Sequence, residues 1–342
     1  MKNVQTQSYL GDFISNLGNN NENIKNRTKK GYAAIAQIKS LLKSVGFGRF
    51  DVPTGLLMRE TIFVSKVLLN SEVWHSLTKS QVEELEIVDR NLIRQILNAH
   101  SKTGIEWLYI ETGKYDLKSL IQIRRLMYLW QILNRKQNEL IRRVYESQRI
   151  SSNCGDWIKL IEGDRKELNI EMTDQEIENM SHDNFKNYVK IKAKTKHLTR
   201  LNDMKKKHSK SQFLNCNELK IAEYLKDPVL STKQKQLLFK LRSRTLDVKL
   251  NFPGQHTDLL CISCGLWPES QSHILQCPQL VAKIGYLMGK NFTLNENDIY
   301  EDLEKQRRIV NIYSDLLEVR ESLKNENISL SYIEGPVHSG AA

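Results

Sequence analysis

The feature that most limits how this chain can fold is the seventeen-residue stretch from Cys261 to Cys277, CISCGLWPESQSHILQC. It holds Cys261, Cys264, His273 and Cys277, and so three of the five cysteines of the chain. A Cys-x-x-Cys knuckle delivers two thiolates from one tight turn, which Gly265 helps to form, and the i, i+4 spacing of His273 and Cys277 sets a second pair on one face of a helix. Four ligands of this kind suit a tetrahedral zinc ion and leave no position for water or substrate, so the expected role is structural. The alternatives are four unmetallated residues, or a redox pair at Cys261 and Cys264, which lacks a thioredoxin-like βαβ setting. Cys154 and Cys216 stand apart, which fits a reducing compartment better than a disulfide framework. Trp267, inside the knuckle, is expected to pack.

The rest of the pattern is helical. Tyr9–Ser15, YLGDFIS, is the best strand candidate, and the polar GNNNEN breaks it. Apolar residues recur at helical spacing from Ile24 to Val45, with Gly46 as a stop, and again after Pro53 toward Trp74. Thr78 and Gln81 make a capping box for a third helix through Val82, Leu85, Val88, Leu92 and Ile96, and Thr173 and Glu176 make another. Asp116–Gln148 reads as one long helix or a helical pair, in which Arg124, Arg125, Arg135, Arg142 and Arg143 interleave with Tyr128 and Trp130; the two aromatics are read as core. Leu303, Val310 and Leu317 repeat at heptad spacing, with Tyr313 on the same side. The expected fold class is mainly α: a helical bundle and further helices followed by a small zinc knuckle. The expected divisions are 1–100 for strand and bundle, 101–189 for the further helices, 190–250 for a basic linker and helix, 251–290 for the knuckle, and 291–342 for a last helix and tail.

Charge localises the expected partner. The chain carries a net charge of +11, and residues 181–250 hold eighteen Lys and Arg against six Asp and Glu, an excess of twelve that leaves the remainder near neutral. One basic block of this kind predicts a surface for the phosphates of RNA or DNA, largely independent of sequence. The residues expected to make it are Lys190, Lys192, Lys194, Lys196, Arg200, Lys205, Lys206, Lys207, Lys210, Arg242 and Arg244, with Arg124 and Arg125 from the upstream helix. Lys190–Gln212 is poor in large apolar residues and reads as a linker or exposed helix. The histidines His75, His100, His182 and His197 lack a partner cluster and read as incidental. No run of eighteen apolar residues occurs and the N-terminus lacks the build of a secretory signal, so the expectation is an intracellular protein, nuclear or cytoplasmic, with no membrane association.

Read with its flanks, LFKLRSRTLDVKLNFPGQHTDLLCISCGLWPESQSHILQCPQL resembles the cysteine and histidine knuckle that ends many non-long-terminal-repeat retrotransposon reverse transcriptases. YLGDFIS followed by NIKNRTKKGYAAIAQIKSLL resembles the primer-grip region and first thumb helix of that family. SEVWHSLTKSQVEELEIVDRNLIRQIL and LYIETGKYDLKSLIQIRRLMYLWQIL resemble the segments that come next. The likeness runs from about Tyr9 to Leu280, and the order of the motifs carries it more than any one of them. It implies thumb helices that grip a template and primer duplex, and a connector that holds element RNA or target DNA. The polymerases of the family also need paired catalytic carboxylates for magnesium, and no adjacent Asp pair occurs in this sequence. The chain is therefore expected not to be an enzyme itself. Asp298, Glu301 and Asp302 fit a helix start better than a nuclease centre. The rival expectation is a zinc-containing helical module that docks a protein partner. The spacing leaves open whether the knuckle itself touches nucleic acid, and whether the partner is RNA or DNA.

Overall fold

The computed structural model of the chain describes residues 6–9, 12–15, 19–44, 51–75, 77–150, 156–284 and 296–333, and it is mainly helical. Gly46 and Cys154 lie outside the described residues. The chain forms two compact units, and each draws on two stretches of sequence. The first combines Met1–Ile96 with Ile105–Ala222; the second combines Leu97–Gly104 with Glu223–Ala342.

The first unit opens with a two-stranded antiparallel ribbon, β1 (Thr6–Tyr9) and β2 (Asp12–Ser15), in which Thr6 faces Ser15. Helix α1 (Asn21–Ser44) buries Ile24, Ala34, Ile35, Ile38 and Leu42. Asp51 caps α2 (Val52–Met58) by accepting from the Thr54 amide, and Pro53 sits where a missing N–H costs nothing. The helix then widens into a π-helical segment, Arg59–Val64, before a last α turn, α3 (Ser65–Val67). Arg59 in that segment is fully buried and forms a two-pronged pair with Asp89 of α4 (Lys79–Leu97), both bonds 2.7 Å. The capping box expected at α4 is present: the Gln81 amide donates to Thr78 Oγ1 at 3.3 Å and the Thr78 amide to Gln81 Oε1 at 2.9 Å.

Helix α5 (Ile105–Thr112) ends at Gly113, whose φ of +63° places it in the left-handed region; a Cβ there would lie 2.3 Å from the Ile221 amide nitrogen, so only glycine fits. The arginine-rich stretch is a helical pair, α6 (Leu117–Leu133) and α7 (Leu140–Ile150), followed by α8 (Asp156–Leu168) and α9 (Asp174–Asn179), the last with the expected Thr173–Glu176 box.

The segment from residue 190, read as a linker or exposed helix, is a helix as far as Lys207, the latter part of α10 (His182–Lys207), but it is not wholly exposed: α10 packs on α6 and α5. Its buried stripe is Phe185, Val189, Ala193, His197 and Leu201, one residue every four. Two large apolar residues at one end, an alanine and a histidine in the middle, and lysines between them conceal a core helix from a reading that counts apolar residues. Phe185, Val189 and Ala193 join Leu126, Leu129, Leu133 and Ile161 in one cluster, with Tyr128 and Trp130 packed against it as expected.

The second unit comprises α11 (Glu223–Lys226), α12 (Thr232–Arg242), α13 (Gln271–Gln276), α14 (Pro278–Ile284) and α15 (Leu303–Ile333), with α12, α13 and α14 each against α15. Phe239, Leu241, Ile274, Leu280, Val310, Tyr313 and Leu316 are buried in it. Asp302 caps α15 by accepting from the Lys305 amide at 3.0 Å, the helix-start role expected of it. The short stretch Leu97–Gly104 belongs here because the His100 ring stacks on Phe252, with centroids 4.1 Å apart. The knuckle and α15 both belong to this second unit.

Candidate metal centre and basic helix

The knuckle is built from short-range rules. An isolated antiparallel bridge joins Leu260 to Pro268, and the Cys261 amide donates to the Trp267 carbonyl at 2.7 Å. Gly265 turns the chain between them with φ +64°, its amide donating to Cys261 O at 2.8 Å. Ser270 caps α13 by accepting from the His273 amide at 2.9 Å, and Cys277 follows that helix at its C-terminal end. The four expected ligands converge: their ligand atoms all lie within 4.8 Å of one another, with Cys261 and Cys277 buried and Cys264 and His273 partly so. Cys261 Sγ and Cys277 Sγ are 3.8 Å apart, and Cys264 Sγ is 3.4 Å from His273 Nε2. This cluster could hold a metal ion.

The ligands differ in how readily they give up a proton. Burial, with the neighbouring Cys261 and Cys264 thiols, pushes the Cys277 thiol up to about 12, so its proton has to be displaced for it to ligate. Burial also opposes ionisation of Cys264, but the amides of Leu266 and Trp267 outweigh it and hold that thiol below its ordinary value. Burial lowers His273, leaving the imidazole neutral and able to ligate at physiological pH.

A second layer fixes the knuckle to the unit. Glu269, fully buried, accepts from the amides of Lys249 at 3.1 Å and Ile262 at 3.3 Å, and takes a two-pronged pair from Arg320 of α15 at 3.0 and 2.9 Å. Tyr313 of α15 donates to Gln271 O at 3.0 Å. Sequence reading missed both, because the partners lie 51 and 42 residues away and no local signal marks them. Trp267, expected to pack, is instead 61% exposed beside Leu266 at 68%. The turn that shapes the thiolates spends its backbone inward and leaves these two side chains outside.

The thirteen cations expected to meet nucleic acid differ in exposure and in the partners they have. Arg125 is 3% exposed and gives its Nη1 to Asp164 Oδ2 at 2.5 Å. Arg124 donates to the Leu68 carbonyl. Arg242 donates to Ile299 O at 2.6 Å and lies over the rings of Tyr224 and Tyr300, while Arg244 is 3.9 Å from Glu296. Arg200 bridges Asp116 at 2.8 Å and Glu167 at 3.2 Å. Lys205 reaches Leu214 O at 2.6 Å, Lys206 pairs with Asp203 at 3.2 Å, and Lys207 and Lys210 are exposed. Lys190 is exposed and Lys192, Lys194 and Lys196 are partly so, and none of these four has a carboxylate within ion-pair distance among the described residues. Lys192 lies over the Tyr188 ring at 5.4 Å.

His197, read as incidental, is 1% exposed and holds its Nε2 3.2 Å from Lys114 O and its Nδ1 3.3 Å from Asp116 Oδ2. Although burial works against the charge on Asp116, His197 and Arg200 outweigh it and hold that carboxyl well below the usual range.

No family model, no curated protein and no solved structure matches the chain. No helix among the described residues is long and apolar enough to cross a membrane.

Proposed function

We propose that the chain is a nucleic-acid-binding module with a structural zinc ion, which engages RNA or DNA backbones largely without regard to sequence and performs no polymerase chemistry of its own. The observation that carries the reading is the set of lysines on α10. Lys190 and Lys194 lie one step of four residues apart, as do Lys192 and Lys196, so each pair follows the helix axis at about 6 Å per step. The two pairs flank the buried stripe, and their charge is not cancelled by neighbouring carboxylates. Such ammonium groups bind phosphates by releasing condensed counterions and gain nothing from base identity. The resemblance of the ordered motifs to the thumb, connector and knuckle of non-long-terminal-repeat retrotransposon reverse transcriptases supports the same reading. Zinc is favoured by size: bonds of about 2.3 Å to sulfur and 2.0 Å to nitrogen at tetrahedral angles put two sulfurs about 3.8 Å apart and a sulfur and a nitrogen about 3.5 Å apart. Two of the observed separations are 3.8 and 3.4 Å, and all four ligand atoms lie within 4.8 Å of one another.

A second reading, a module that docks a protein, is favoured by α7, where Leu140, Val144 and Ile150 are 77%, 45% and 86% exposed. Filter binding of unrelated duplexes and single strands over a range of salt separates the two. The nucleic-acid reading expects a steep linear fall of log affinity with log salt that is alike for all sequences. Absence of binding at low salt would leave the protein-docking account.

A further inference from the structure

The first unit contains a cavity of about 430 Å³ lined by α4, α5, α6, α8 and α10. Its wall is mixed: Val82, Ile121, Leu160 and Leu201 give it an apolar side, and six lysines and arginines stand against five carboxylates. One of those carboxyls, Glu86, is pushed up to about 8 by burial and by the charges of Asp116 and Asp89, so it holds its proton at neutral pH and adds to the positive excess of the wall.

Arg125 borders this cavity, and its hydrogen bonding is incomplete. Nη1 is committed to Asp164, but Nε and Nη2, both buried, meet no protein acceptor. Those two nitrogens form the edge of the guanidinium that takes an oxyanion in two parallel bonds. At three other arginines of this protein the same edge is filled by a carboxylate: Arg59 on Asp89 at 2.7 and 2.7 Å, Arg307 on Asp227 at 2.6 and 2.9 Å, and Arg320 on Glu269 at 3.0 and 2.9 Å. Beside Arg125, the Gln122 amide spends its nitrogen on Asp164 and Glu167, and its buried Oε1 has no donor. Arg125 and Gln122, both residues of the cavity wall, thus hold a buried two-pronged donor and one buried acceptor without protein partners, beside an apolar face and a volume of the size that small-molecule sites have.

We propose that this cavity binds a small organic oxyanion, a carboxylate or phosphate monoester on an apolar body, with its head on Nε and Nη2 of Arg125. The site lies inside the helical unit, is distinct from the lysines that carry the nucleic-acid reading, and does not depend on that reading.

The test uses the full zinc-loaded chain and three probes with one ring system: 2-naphthoate, 2-naphthyl phosphate and the neutral 2-naphthol, with inorganic phosphate as a fourth. Titration calorimetry or ligand-observed NMR should show saturable one-to-one binding of one or both naphthyl anions, at least about tenfold tighter than naphthol and inorganic phosphate. Whichever of the two anions binds better identifies the head. Arg125→Lys keeps a positive charge beside Asp164 but loses the fork, and should weaken the anion about tenfold or more. Gly163→Trp on α8 guards against misfolding as an explanation: Gly163 is exposed at the edge of the cavity and a Cβ there meets nothing within 4 Å, so the helix accepts the substitution, and the added ring at the cavity edge is expected to obstruct the probe. Circular dichroism should be unchanged in this variant. No saturable binding at millimolar probe, naphthol binding as tightly as the anions, or full affinity in a folded Gly163→Trp variant would each overturn the proposal.

Discussion

Helices α6 and α10 carry clusters of cations that look alike in the sequence and behave in opposite ways in the fold. On α6, Arg124 and Arg125 turn inward, one to a backbone carbonyl and the other to a buried carboxylate. On α10, Lys190, Lys192, Lys194 and Lys196 remain at the surface without carboxylate partners among the described residues. The chemistry of the side chains accounts for the split. A guanidinium is weakly hydrated and offers a planar fork that can satisfy buried acceptors, whereas an ammonium is a strongly hydrated point charge. The second unit repeats the inward half of the pattern with Arg242 and Arg320, and a zinc ion among three thiolates would be its extreme: positive charge fully enclosed by ligands.

If that division is right, removing an inward charge costs stability, and removing an outward one costs only binding. The largest effect is expected at the metal. Cys261→Ser combined with Cys264→Ser should bind no zinc and lose the apparent folding energy that a structural ion supplies, of order 10 kcal/mol. The second unit should then melt separately from the first, seen by calorimetry alongside metal analysis. A variant that keeps its zinc and its melting curve would show that the ligands were wrongly assigned. Next comes Arg125→Met, which strands Asp164. Denaturant titration should show a loss of about 3–5 kcal/mol, with the salt slope of nucleic-acid binding unchanged. Burial already pushes Asp164 upward against the pull of Arg125, so the deficit should grow as pH rises and the stranded carboxyl is asked to ionise.

Glu86 sharpens the comparison with a buried group that avoids charge. Its folded-state value of about 8 lies above the ordinary carboxyl value of 4.5, so the folded protein holds a proton that the unfolded chain releases, and stability falls as pH rises from about 4.5 to 8. Glu86→Gln mimics the protonated form and should remove this slope, gaining on the order of 2 kcal/mol at pH 8 and little at pH 5, as read from urea midpoints at the two pH values. A variant that lost stability equally at both would show that the carboxyl is ionised in the fold. The smallest effect on the fold is expected for the outward set. Changing Lys190, Lys192, Lys194 and Lys196 together to Gln should leave the melting temperature within a degree or two, and flatten the plot of log affinity against log salt by about 0.7 to 0.9 for each phosphate no longer engaged. The same change at Lys205, Lys206, Lys207 and Lys210 should flatten it less, because Lys205 and Lys206 already have partners. Equal slopes for parent and both variants would end the nucleic-acid reading of this helix.

What the sequence revealed was short in range. The knuckle lies within seventeen residues, and each capping box spans four, so spacing alone placed them. Residues whose meaning depends on distant partners were read wrongly or passed over. Arg125 reads as a surface cation until Asp164, 39 residues on, is folded against it. His197 has no neighbour in sequence that explains its burial. The α10 stripe was obscured because Ala193 and His197 stand where a larger apolar residue would have been recognised, and because the lysines beside them dominate the local composition.

The membership of Leu97–Gly104 in the second unit has a consequence for the order in which the parts can form during synthesis. His100 leaves the ribosome 152 residues ahead of Phe252, the ring on which it stacks. At typical elongation rates of about 5–20 residues per second, that is a wait of roughly ten to thirty seconds. Over most of this time the helices of the first unit, whose last residue is Ala222, are emerging while the short stretch still lacks its partner. The second unit therefore cannot begin to close around its earliest segment until the first is already complete.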